Sequence, residues 1–191
     1  MKTRFLAATA CAAVLVAALR ARSQSPSSQS PTPERRNPNA TRAATAPSAT
    51  ARNAGFIDAV DEAEIEDGQA AVRTSKNPAV LAFARQMVDA HGENRRKLAT
   101  SGVQAADGPD ATALKREHKA QAARLAKLKG ASFDRAYAAL QESNHAAVLS
   151  KLDKRIVPQE TTGPLGAFVQ ETRQAVEMHL KAARELKASL K

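Results

Sequence analysis

The chain has 191 residues and a formal charge of +10 at pH 7, but residues 56–191 hold 21 basic and 18 acidic side chains, so most of the excess lies in the first 55 residues. With no Trp and a single Tyr, the later part lacks the stacking aromatics and phosphate-tracking cations of a nucleic-acid groove, and no nucleic-acid partner is expected.

Lys2 and Arg4 precede an apolar, small-residue run from Phe5 to Leu19, closed by Arg20 and followed by a small-residue cleavage position near Ala21 or Ser23. That order is the pattern of a secretory signal over residues 1–21, and the run is shorter than the ~20 apolar residues a spanning helix needs. A periplasmic or secreted location is expected. Cys11 lies inside the run instead of at its end, so a lipoprotein is not expected. A chain cut after the signal would hold no cysteine, which removes disulfides and thiolate metal ligands together.

Between Arg22 and Gly55 there is no Leu, Ile, Val, Met or Phe, while five of the nine prolines fall there. Such a stretch cannot bury enough apolar surface to offset its chain entropy, and a disordered linker spanning roughly 30 Å is expected over residues 22–55. Its basic residues suit peripheral contact with an anionic envelope surface. Residues 56–191 then form the folding domain.

Five helices are predicted in that domain. The first runs from about Phe56 to Lys76. Asn77-Pro78 supplies an N-cap and an N1 proline for the second, which reaches about Ser101. Gly102 and Gly108-Pro109 interrupt the chain before a third helix, from about Asp110 to Leu128. Gly130 ends that helix, and Ser132 caps a fourth that runs to about Lys154. Pro158 and Gly163-Pro164 separate it from the fifth, Pro164 to Lys191. No stretch alternates with period two for long enough to suggest a strand. The expected fold is all-α, an antiparallel four- or five-helix bundle with short connections.

The apolar stripes at three-and-four spacing carry polar intruders. Helix two reads Val80, Ala84, Met87, His91, Leu98, and helix three Leu114, His118, Gln121, Leu125. Helix five places His179 between Val176 and Ala183, helix one places Glu64 among Ile57, Val60 and Ala71, and His145 of helix four lies beside Val148, Leu149 and Leu152. His91, His145 and His179 fall 13, 12 and 15 residues into their helices, so at 1.5 Å per residue they share a depth. Imidazoles with one carboxylate suit copper, zinc, nickel or iron. The expected ligands are Glu64, His91, His145 and His179, with His118 and Glu142 as further candidates. Glu142-x-x-His145 has the spacing that di-iron bundles use, but the residues three before His91 and His179 are Val88 and Val176.

The run from Asn77 to His91, NPAVLAFARQMVDAH, resembles the bacterial family known as domain of unknown function 4142. Ala63-Glu64-Ile65-Glu66-Asp67-Gly68, Phe133-Asp134-Arg135-Ala136-Tyr137 onward to His145, and His179-Leu180 resemble its other motifs in the same order. The resemblance implies a ferritin-like bundle of the envelope and carries no established activity. Where the family pattern has an acidic residue directly before the second- and fourth-helix histidines, this chain has Ala90 and Asn144, and Arg173-Gln174 replaces a Leu-Pro pair.

The functional expectation is an exported bundle holding a transition metal; the alternative is a structural or stress-related envelope module whose histidines fix helix register. Nucleophile elbows, Gly-rich phosphate loops and cofactor fingerprints are lacking, which argues against an enzyme and leaves redox chemistry at a bound metal as the only enzymatic route.

Overall fold

The structure is a computed structural model, and it describes residues 46–190. The expected signal peptide, the potential lipidation site at Cys11 and most of the expected linker lie outside these residues.

Helix α1 spans Ala49–Thr74. It begins seven residues before the expected start, inside the stretch assigned to the linker. The cause is local: Ser48 accepts a hydrogen bond from the Ala51 N–H at 3.0 Å as N-cap, and the alanine-rich turn after it has no proline to oppose a helix. Tertiary contacts then hold that turn, since Ala54 and Gly55 are buried and the Ala106 N–H donates to the Ala51 carbonyl at 2.9 Å.

Helix α2 is Pro78–Thr100. The Asn77 side chain accepts from the Ala79 and Val80 N–H groups at 2.9 and 3.3 Å, as its Asn-Pro sequence predicts. Replacing Asn77 by alanine is expected to cost about 1 kcal/mol, read as a shift in the urea midpoint with unchanged slope.

Helix α3, Pro109–Leu125, is peripheral and buries only Ala111 and Leu125. Helix α4 is Gly130–Lys151, starting from a glycine at φ 53°. It runs into a π-helical turn, Leu152–Ile156, and a single α-turn, α5, Val157–Gln159. Pro158 follows the widened turn directly and has no N–H with which to continue the ladder. Helix α6, Gly166–Ser189, completes the order. The described residues contain no strand, and none of their helices is long and apolar enough to cross a membrane.

Helix α1 packs most extensively on α2 and α4 on α6, while α3 lies against α1 and touches α4 only sparsely. The apolar core falls into two clusters. One gathers Phe56, Ile57, Val60, Leu98, Leu152 and Phe168; the other gathers Ala71, Val80, Met87, Phe133, Tyr137 and Leu186. Along α1 and α6 the first cluster comes first, and along α2 and α4 it comes second, so successive long helices run up and down. Between the clusters lies a buried polar layer of Asp61, Glu64, His91, Gln141, His145, Thr172 and His179. Polar residues placed near mid-helix on all four inner helices give this sandwich of apolar, polar and apolar layers.

Candidate metal centre

Three imidazoles from three helices meet in the polar layer: His91 of α2, His145 of α4 and His179 of α6. Their exposures are 3, 2 and 5%, and their ligand nitrogens all lie within 4.8 Å of one another. The ring centroids form a near-equilateral triangle, 5.2 Å from His91 to His179, 5.5 Å from His145 to His179 and 5.8 Å from His91 to His145. Three imidazoles on a tetrahedral zinc-like ion, with nitrogens ~2.05 Å from the metal, place their centroids ~5.2 Å apart. The nitrogens of such a site are ~3.3 Å apart, so the three rings, whose nitrogens lie within 4.8 Å of one another, would draw inward on binding an ion.

Hydrogen bonds engage one nitrogen each of His91 and His145. His91 Nδ1 lies 2.7 Å from Asp61 Oδ1, and Asp61 Oδ2 accepts from Asn94 Nδ2 at 2.9 Å, so both carboxylate oxygens are engaged. His145 Nδ1 donates to the Gln141 carbonyl at 2.9 Å. His91 Nε2, His145 Nε2 and His179 Nδ1 are buried without a partner. Leaving one such group unpaired costs about 1–3 kcal/mol, so three unpartnered imidazole nitrogens in one buried layer are groups that a bound cation would satisfy. The Asp61–His91 bond is the orienting contact that ligating histidines commonly make.

Glu64 of α1 is 3% exposed and its Oε1 lies 4.0 Å from His145 Nδ1. It sits beside the triangle and does not join the mutually close set. Its Oε2 has no partner, and neither do the Tyr137 hydroxyl and both side-chain atoms of Gln141.

The two further candidates, His118 and Glu142, lie elsewhere. His118 is bound by Asp67 at 3.0 Å, with Glu66 at 3.7 Å, on the α1–α3 face. Glu142 faces outward and pairs with Lys187 at 2.7 Å and Arg184 at 3.4 Å, which holds its carboxyl below the usual range. The i, i+3 spacing to His145 turns the two side chains ~60° apart around α4, enough to send one into the core and the other to the rim. Asp61 is the partner that sequence reasoning missed; its only signal was a position one turn before Glu64, on the same face of α1.

Electrostatics separates the histidines. Burial, with the neighbouring His91 and only partly offset by the Gln141 carbonyl, pushes His145 down to about 4. Burial, followed by His91 and His145, pushes His179 down to about 3. For His91 burial opposes the charged form, but the Asp61 bond and the Glu64 and Asp61 charges outweigh it and raise the pKa. Burial raises Asp61 and Glu64, each opposed by His91. The layer therefore keeps two neutral imidazoles beside one that favours a proton, the arrangement a cation would replace. His118 is raised by its bond to Asp67.

In a nitrogen-detected NMR titration, His145 and His179 are expected to stay neutral down to about pH 4 and 3, while His118 keeps its proton above the usual histidine range. The linkage follows. A histidine with a depressed folded pKa favours the fold fully above its unfolded value of ~6.5, and that contribution is lost as pH falls toward the folded value. Loss of the sharp imidazole signals at pH 6 without unfolding would contradict this.

A family model described as Domain of unknown function (DUF4142) matches residues 36–186. No curated protein and no solved structure matches this chain.

Proposed function

This chain belongs to the DUF4142 family, and on that premise we propose that it is a metal-binding bundle that holds one transition-metal ion between His91, His145 and His179. The observation that carries the reading is the convergence of three unpartnered, buried imidazole nitrogens from three helices. Nitrogen donors without a thiolate suit zinc, copper, nickel or iron(II). Asp61 orients His91, the Gln141 carbonyl orients His145, and Glu64 is a buried carboxylate beside the triangle, its Oε1 4.0 Å from His145 Nδ1. The proposed role is holding the ion, and the signal-like pattern of residues 1–21 supports a role outside the cytoplasm.

A specific observation also favours a register role for part of the layer. Thr172 of α6 donates to Asn94 of α2 at 3.1 Å, and Asn94 donates to Asp61 of α1, a chain of hydrogen bonds tying three helices at one depth. Register alone requires only satisfied pairs, and the inward nitrogens are not satisfied. Titration of the untagged, chelator-treated chain with zinc, copper and nickel, and anaerobically with iron(II), tests the reading. One ion per chain is expected for at least one of them. Absence of saturable binding for all four would leave the register role standing alone.

A further inference from the structure

Resting on that reading, we propose that the ion enters through the cleft between α3 and α4, and that Glu64 is the carboxylate that receives it before the histidines do. The three histidines are buried, with exposures of 2 to 5%, so an ion needs a route. Helix α3 packs on α1 but barely on α4, and the gap between α3 and α4 is a cleft of about 500 Å³. At ~30 Å³ per water, it has room for an ion with its hydration shell.

The cleft leads to one place in the polar layer. Glu64 is among its lining residues, and Glu64 is the residue whose other side approaches the triangle, 4.0 Å from His145. It is 3% exposed, and its Oε2 is buried without a hydrogen-bond partner. The cleft is also lined by Ser143, by the Gln121 and Asn144 amides, which meet at 3.4 Å across the gap, and by the exposed Glu117 carboxylate, all of which offer oxygen atoms. A hydrated cation exchanging waters one at a time needs such a sequence of oxygen donors, ending in a charged one, because an ion stripped of water with no replacement ligand is very costly to bury. The positive charges at the mouth are partly neutralised, since Lys151 and Arg155 both pair with Asp110 at 2.7 and 3.4 Å.

The test is the rate of cobalt(II) uptake by the full chain, followed in stopped flow by the visible bands that ligation produces, alongside equilibrium affinity. Ala147 is exposed and lines the cleft, so Ala147→Trp fills it without entering the core. Uptake by this variant is expected to slow at least tenfold, with stoichiometry retained and affinity within about twofold, because a plug slows release equally. Glu64→Gln is expected to slow uptake by a similar factor with an intact cleft. Ala139→Trp, exposed on α4 away from the cleft, is expected to bind at the parent rate. A second hollow between α1 and α3 is lined by His118, Asp67 and Ala126. Slowing by Ala126→Trp with normal uptake by Ala147→Trp would overturn the proposed entrance, leaving the three-histidine site intact. Parent-rate uptake by Glu64→Gln would overturn the role of Glu64. A parent chain that takes up neither cobalt nor any of zinc, copper, nickel and iron(II) would overturn both the entrance and the site beneath it.

Discussion

Replacing His145 by alanine is expected to lower metal affinity by roughly two orders of magnitude or more, a larger loss than the tenfold to hundredfold that removing an orienting partner produces. The ring is 2% exposed and presents its unpartnered Nε2 toward His91 and His179. Its removal leaves two imidazoles and no nearby donor to take its place, since Glu64 lies on the Nδ1 side of the lost ring. His179→Ala should behave alike. Two controls separate ligation from general damage. His118→Ala removes a histidine that is engaged with Asp67 on the α1–α3 face, and it is expected to keep the parent stoichiometry and affinity. Thermal unfolding supplies the second: a ligand at a hundred times its dissociation constant stabilises the fold by about 2.7 kcal/mol, so added metal should raise the melting temperature of the parent and of His118→Ala, but not of His145→Ala.

Gly55→Ala is expected to destabilise the domain by about 2–3 kcal/mol, although alanine is the better helix former by ~1 kcal/mol. Gly55 lies inside α1 where the 101–108 connection crosses it. A Cβ there would stand 2.6 Å from the Ala106 carbonyl carbon and in direct collision with its oxygen. Both atoms belong to the backbone, so the connection has to move, and the hydrogen bond from Ala106 to Ala51 is lost with it. Gly92 of α2 is the opposite case. Its nearest obstacle is the far end of the Arg96 side chain at 3.7 Å, so Gly92→Ala keeps the helical gain and is expected to stabilise by up to ~1 kcal/mol. Urea unfolding of the two variants should move the midpoint in opposite directions; a Gly55→Ala protein as stable as the parent would mean that the connection does not rest on α1.

Much of the site was legible because its information is periodic. His91, His145 and His179 each interrupt an apolar stripe at matching depth, and antiparallel helices convert matching depth into proximity. The family motifs singled out the same positions. The start of α1 was not legible, because Ala49 to Gly55 has no large apolar residue; it is held by small residues that let the 101–108 connection approach. His118 was misplaced because a half-buried outer helix carries a stripe much like that of an inner one, and only packing shows that α3 lies outside the four helices that enclose the polar layer. Asp61 was overlooked for a different reason. It stands among Asp58, Glu62, Glu64 and Glu66, which reads as a solvated acidic run, and its burial against His91 emerges only when α2 is laid on α1.

The central claim is that three imidazoles hold one ion. X-ray absorption at the zinc edge of the chain loaded with one equivalent of zinc tests it most directly. Three imidazole nitrogens at about 2.0–2.1 Å, falling to two in His145→Ala, are the result the structure predicts. A spectrum dominated by oxygen ligands and unchanged in His145→Ala would contradict it and place the metal elsewhere on the chain.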